Sequence, residues 1–112
     1  MGQIELVELD VSYWYVGEYA LDSIFDYCYN LTTIKFGSGW GNARYDFTLD
    51  LGDCGKNNSY RLDSITYDSM LTMYDRASTG FSAGIIKFNK QHNLPEGFID
   101  SMTALGYTIT LE

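Results

Sequence analysis

Residues 44–51 alternate between polar and apolar side chains without a break. The apolar positions are Tyr45, Phe47, Leu49 and Leu51, and the polar ones are Arg44, Asp46, Thr48 and Asp50. Successive side chains of a β-strand point to opposite faces of its sheet, so this period of two predicts a strand with one buried face and one wet face. The chain must therefore cover one side of a sheet with apolar groups and leave the other side in water.

Other segments supply the partners of this strand. Further strands are predicted at 3–16, 31–36, 60–62, 81–88 and 107–111, and helices at 18–30, 66–77 and 94–105. In the first strand the expected buried face carries Val7, Leu9, Val11, Tyr13 and Tyr15. Alternation in several strands favours an antiparallel or mixed sheet with helices on one side. We therefore expect a single α+β domain spanning residues 1–112, with a mixed or antiparallel sheet of about five to six strands packed by about two to three helices on one face.

The helix predictions depend on spacing and on end signals. In 18–30 the apolar residues Leu21, Ile24, Phe25, Cys28 and Tyr29 follow the helical spacing of one buried stripe. Asn93, Pro95 and Glu96 resemble a helix start with a capping residue, an early proline and a nearby acid. Gly106 suits the left-handed residue that follows a helix.

Location and thiol state are predicted from the N-terminus, the apolar runs and the two cysteines. Apolar residues are dispersed and form no run of about 18 that a bilayer span needs. The first residues lack a basic and an apolar signal region, which predicts a cytoplasmic protein. Cys28 is expected to be buried and Cys54, between glycines, to be accessible, with both as free thiols.

Acidity is the strongest functional indication in the composition. Fifteen acidic residues against seven basic ones give a formal charge of −8. That charge repels nucleic-acid phosphates and anionic lipid and attracts basic surfaces. A direct nucleic-acid reader is therefore not expected, and the partner is expected to be a basic protein surface, although the charge also suits plain solubility.

Two groups of carboxylates are candidates for contact with such a partner. Glu18, Asp22 and Asp26 recur every four residues and would form one acidic stripe on the predicted first helix, unless that face is ordinary solvated surface. Asp46 and Asp50 share a strand face, but their separation of about 13 Å exceeds the roughly 5 to 9.5 Å of glycosidase pairs. Asp53 can fold back towards Asp50, yet the three aspartates lack the spacing of a calcium loop.

The glycine-rich segment 37–42 is either a plain hairpin connection or a recognition loop. It fails as a nucleotide cradle because a strand, not a helix, is predicted downstream. Trp40 lies between Gly39 and Gly41, which supply no side chains to cover it. We therefore expect Trp40 to be exposed at a loop tip and to contact the partner.

Catalysis is not expected, and no metal or cofactor is implied. One catalytic alternative remains, in which Cys54 is a nucleophile and His92 is its base, because the members of such pairs come together in the folded structure and need not be close in the sequence. No local signature surrounds Cys54, and His92, the one histidine, lies in a polar stretch that favours a surface position.

A small acidic domain without catalytic motifs is typical of stoichiometric inhibitors. The first hypothesis is an inhibitor of a basic nucleic-acid-handling protein, as in phage anti-defence proteins of the anti-CRISPR or DNA-mimic type. A toxin-immunity protein and a small phage or cellular structural subunit are the alternatives. The expected contact residues are Glu18, Asp22, Asp26, Trp40, Asp46, Asp50 and Asp53.

Overall fold

Six strands and two α-helices make up the regular structure of the part of the chain that the computed structural model describes, residues 5–16, 19–21, 23–44 and 46–112. The strands are β1 (Glu8–Asp10), β2 (Tyr19–Leu21), β3 (Thr33–Lys35), β4 (Phe47–Asp50), β5 (Gly84–Phe88) and β6 (Tyr107–Leu111). The helices are α1 (Ser64–Met70) and α2 (Phe98–Ala104), and a short 3₁₀ turn covers Lys56–Asn58.

The strands form two separate sheets, and every pairing in them is parallel. One sheet has four strands in the order β2-β4-β5-β6, and the other pairs β1 with β3. The expected single sheet, mixed or antiparallel, is therefore wrong. Alternation shows that a strand has one wet face, but it carries no information on strand direction. Direction is decided by the connections, because α1 and α2 carry the chain back so that β4, β5 and β6 run the same way.

The first half of the chain departs furthest from its sequence pattern. The predicted strand 3–16 is reduced to β1 among the described residues, and the Asp10 carboxylate accepts hydrogen bonds from both the backbone N–H and the hydroxyl of Ser12. Such a local aspartate turn ends a strand. Tyr13 and Tyr15, expected on the buried face, are 78% and 84% exposed.

The predicted helix 18–30 is also wrong. Residues 19–21 form β2, and 23–27 run through turns in which Tyr27 has a φ of 63°. Phe25 and Cys28 are nevertheless fully buried, so the apolar spacing correctly indicated burial but not helix. Helical spacing over a short segment can equally be met by successive turns that each bury one residue.

Helix α1 is shorter than predicted and begins earlier, where Asp63 accepts a hydrogen bond from the Thr66 N–H as the N-cap. Residues 60–62 form no strand. The hydroxyls of Thr66 and Ser69 then accept the backbone N–H groups of Ile34 and Phe36. The helix thereby covers the edge of β3 that β1 does not pair, which protects it from pairing with other chains.

The last third of the chain follows its prediction more closely. Strands β5 and β6 lie within the predicted segments, and Gly106 has a φ of 96° as the residue after α2. The start of helix α2 differs from the prediction, because its N-cap is Gly97, with a φ of 80°, and not Asn93. Helix α2 therefore begins after the predicted capping sequence instead of within it.

Both helices lie on the same side of the larger sheet. Tyr67 of α1 packs against Phe88 of β5 and Phe98 of α2, and Phe47 of β4 packs against Tyr107 of β6. These side chains belong to one hydrophobic core that also includes Val11, Ile34 and Trp40. In the described residues, no helix has the length and apolar character needed to cross a membrane.

Candidate functional site

The face of the larger sheet that points away from this core is lined by polar, charged and β-branched side chains. Thr48, Ile85 and Thr108 lie opposite one another across three strands, and so do Asp50, Lys87 and Thr110. Neighbouring strands are about 4.8 Å apart, so these six side chains form two parallel rows on a rigid support. Ile85 in the central strand is 38% exposed. Parallel sheets usually have both faces covered, so a partly open face is a candidate contact surface.

A concavity of about 170 Å³ lies at the carboxyl ends of β4, β5 and β6. Four acidic residues and one lysine line it: Asp26, Asp50, Asp53, Glu112 and Lys87. Asp50 and Lys87 also belong to the outer face, so the two features are continuous. In open parallel sheets this edge is the common place for a ligand. We call the outer face and this concavity together the acidic surface.

Backbone groups hold two of these carboxylates in place. The Gly52 N–H donates to Asp50 Oδ1 at 2.8 Å, and the Tyr27 N–H donates to Asp53 Oδ2 at 2.9 Å. The second bond ties the turn at 23–27 to the loop after β4. Because these loops are fixed to one another, the carboxylates do not need to be ordered when a partner binds.

The predicted contact residues are only partly brought together. Asp26, Asp50 and Asp53 line the concavity, although Asp26 lies in a turn and not on a helix. Asp46 is exposed just before β4 and is not part of the wall. Glu18 and Asp22 lie outside the described residues. Glu112 was not predicted from the sequence, because the parallel pairing of β6 with β5 is what places the end of the chain at the concavity.

Trp40 is the clearest error of the sequence interpretation. Its side chain is 0% exposed, its Nε1 donates to the Val11 carbonyl at 2.8 Å, and its ring stacks against Trp14 and Phe25. The neighbouring glycines allow this packing, because a Cβ on Gly39 would lie 2.1 Å from the Trp14 carbonyl oxygen. The glycines thus serve close backbone approach, and Trp40 is not available to a partner.

His92, the candidate catalytic base, makes structural contacts with the backbone. His92 is buried, its Nδ1 accepts the Asn89 N–H at 2.9 Å, and its Nε2 therefore carries the proton and donates to the Cys54 carbonyl at 2.8 Å. Burial lowers the pKa of His92, so the ring stays neutral. The expected surface position of His92 is wrong.

Both cysteines are free and buried, so the prediction is confirmed for Cys28 and wrong for Cys54, which is 0% exposed. Desolvation raises the pKa of the Cys54 thiol. Since the thiolate is the nucleophile, this environment opposes reactivity.

A buried arginine was also missed. The guanidinium of Arg76 donates to the carbonyl oxygens of Gly41, Ala43 and Ser82. It joins the glycine-rich segment to the connection before β5, which is a structural role. Nothing in the sequence separates this arginine from an exposed one.

Among the described residues, no three side chains of His, Cys, Asp or Glu are placed so that they could hold a metal ion. Comparisons of the chain with protein-family models, with curated proteins and with solved structures find no match.

Proposed function

We propose that this protein works by stoichiometric binding, as an inhibitor that covers the basic site of a nucleic-acid-handling protein with its acidic surface. The observation that carries the proposal is the continuity between the open sheet face and the concavity at its carboxyl edge. A partner's basic side chains would enter the concavity while its backbone or flat surface lies across the two rows of the sheet.

Charge and rigidity support this function. The carboxylates of Asp26, Asp50, Asp53 and Glu112 stand around one concavity in a chain whose formal charge is −8. Opposite charge across an interface raises the association rate and disfavours wrong partners. A sheet face offers little conformational freedom to lose, so more of the contact energy is retained as affinity.

Binding is further supported over catalysis by the state of His92 and Cys54. Both ring nitrogens of His92 are engaged by backbone groups, and the Cys54 side chain is fully buried. Neither residue lines the acidic concavity.

The proposal is tested by two variants of equal charge. The site variant combines Asp50→Asn, Asp53→Asn and Glu112→Gln, and the control combines Glu8→Gln, Glu96→Gln and Asp100→Asn. Each set removes three carboxylates, and the amides of the site variant keep an acceptor oxygen for the bonds to Gly52 and Tyr27. The control residues are exposed and lie away from the concavity.

Wild type and both variants are immobilised, and the proteins that they retain from host lysate are identified. Each retained protein is then purified, and its affinity for wild type and for both variants is measured. We expect the site variant to lose at least about tenfold in affinity for the purified partner and the control to lose less than about twofold. A duplex DNA fragment should displace wild type from that partner.

Equal weakening by both variants would show that only net charge matters and would overturn the assigned surface. A partner that binds no nucleic acid and that is a toxin would replace the first hypothesis with the toxin-immunity alternative.

A further inference from the structure

Strand β6 has an open outer edge. It is the last strand of the larger sheet, and it pairs with β5 without a break up to the Glu112 N–H, which donates to the Phe88 carbonyl at 3.0 Å. Alternate residues of a parallel strand bond to the same neighbour, so Tyr107, Ile109 and Leu111 direct their N–H and C=O groups away from β5. In the described part of the chain, no hydrogen bond reaches these outward groups.

Two other strand edges of this protein are covered or charged, as edges in natural proteins usually are. Helix α1 covers the edge of β3, and the exposed carboxylates of Glu8 and Asp10 lie along the unpaired edge of β1. Over Tyr107–Leu111, β6 has no charged side chain, no proline and no bulge. The edge of β6 therefore lacks the features that prevent another strand from pairing with it.

Exposed apolar side chains lie beside this edge on the helix side of the sheet. Leu111 is 48% exposed and shares a sheet face with the buried Tyr107, and Ile99 of α2 is 42% exposed. Ser101 lines the gap between α2 and α1. Ile99 lies on the opposite flank of α2, because two residues of a helix span about 200°. Since α2 packs on β6, Ile99 faces the open edge.

A second copy of the chain fits this edge through a two-fold axis at Ile109. Antiparallel pairing about that axis places Ile109 opposite its counterpart and Tyr107 opposite Leu111, so the outward backbone groups of the two copies join in about six N–H···O=C bonds. The apolar flanks of the two α2 helices meet on the same side. The Glu112 residues of the two copies lie at opposite ends, roughly 20 Å apart, which exceeds the Debye length of about 8 Å.

We propose that this edge is a dimer interface, in which β6 of two copies pair antiparallel and join their four-stranded larger sheets into one continuous sheet. The inference goes beyond the proposed function and does not rest on it, because no residue of Tyr107–Leu111 lines the acidic concavity.

The size of the edge sets the strength of the dimer. The edge is about 17 Å long, and the sheet and helix layers together are roughly 20 Å deep, so each copy buries about 350 to 500 Å². A stable interface buries about 800 Å² per copy, so the dimer is weak, with a Kd of about 10 to 500 μM. Each copy has a formal charge of −8, so salt strengthens the dimer by screening the repulsion.

Sedimentation equilibrium of the full chain from about 10 μM to 1 mM measures the dimer, at about 0.15 M and 0.5 M salt. The edge variant combines Ile99→Lys and Leu111→Lys, and the control combines Ile65→Lys and Thr108→Lys. Ile65 of α1 and Thr108 on the outer sheet face are exposed, so both sets add the same charge at exposed positions. A thermal melt verifies that each variant folds.

We expect wild type to dimerise, and to do so about threefold or more tightly at the higher salt concentration. The edge variant should lose at least about tenfold in dimer affinity and the control less than about twofold. Hydrogen exchange of the Ile109 and Leu111 N–H groups should slow as the protein concentration rises. The Thr110 N–H bonds to β5 and should be protected at every concentration.

A chain that stays monomeric at about 1 mM in both salt concentrations would overturn the proposal, and so would equal weakening by both variants. Dimerisation without slower exchange at Ile109 and Leu111 would place the contact elsewhere on the molecule. Protection that appears only after a foreign protein is added would assign this edge to that protein and not to a second copy. None of these outcomes depends on the partner of the acidic surface, so they leave the proposed function to its own test.

Discussion

Replacing Trp40 with phenylalanine tests the packing of the glycine-rich segment against the first part of the chain. The substitution keeps an aromatic ring between Trp14 and Phe25 but replaces the fused indole with a single, smaller ring. It also removes the Nε1–H that donates to the carbonyl of the buried residue Val11 at 2.8 Å.

The magnitude follows from these two losses. The Val11 carbonyl still accepts the Trp14 N–H at 3.1 Å in this variant. Loss of the Trp40 hydrogen bond therefore costs about 0.5 to 1.5 kcal/mol, and the lost apolar contacts and the cavity left behind add about 1 to 2 kcal/mol. We therefore expect Trp40→Phe to lower the free energy of unfolding by about 1.5 to 3.5 kcal/mol. The free energy of unfolding of a small domain is about 5 to 15 kcal/mol, so the variant should still fold but should unfold at a clearly lower denaturant concentration than the wild type.

Urea unfolding followed by circular dichroism measures the change, and Trp14→Phe is the matched control. Trp14 is only half-buried, so its replacement should cost less than half as much. The chain has two tryptophans, so in Trp14→Phe the fluorescence comes from Trp40 alone and should resist quenching by iodide. A loss of unfolding free energy below about 1 kcal/mol in Trp40→Phe, together with ready quenching of Trp40 in Trp14→Phe, would refute the burial of Trp40 between Trp14 and Phe25.

Three further predictions concern single buried groups. Burial lowers the pKa of His92 below the usual value of about 6.5, so the unfolded chain takes up a proton at a higher pH than the folded chain does. The free energy of unfolding of the wild type should therefore decline as the pH falls below about 6.5, and it should decline less steeply in His92→Gln. Identical slopes in urea titrations at several pH values would contradict this. Neither Cys28 nor Cys54 should react with a thiol reagent in native protein, and both should react after unfolding, whereas rapid native labelling of either would show that it is accessible. Tyr67→Phe should raise the free energy of unfolding by about 1 kcal/mol, measured by thermal and urea melts, and a decrease would reveal a partner for the hydroxyl.

The sequence by itself determined those features that depend on near neighbours. The alternation at 44–51 predicted a strand that buries Phe47 and Leu49. The structure confirms both burials and forms β4 over Phe47–Asp50, whereas Tyr45 lies outside the described residues. Gly106 and the residues after it predicted the end of α2 and the strand β6. These elements are recoverable because side-chain period and backbone freedom are properties of a few consecutive residues.

Features that depend on long-range packing were decided by the tertiary structure alone. The parallel direction of every pairing follows from where the crossovers return the chain, which no side-chain pattern records. Trp40 looked exposed because its neighbours are glycines, whereas Gly37 and Gly39 let the backbone of Ser12 and Trp14 approach closely. Asp26, Asp53 and Glu112 are far apart in sequence, and long-range contacts such as the hydrogen bond from Tyr27 to Asp53 and the pairing of β6 bring them to one concavity. Sequence spacing sets which residues can be neighbours within one element, and the packing of distant segments sets which surfaces exist.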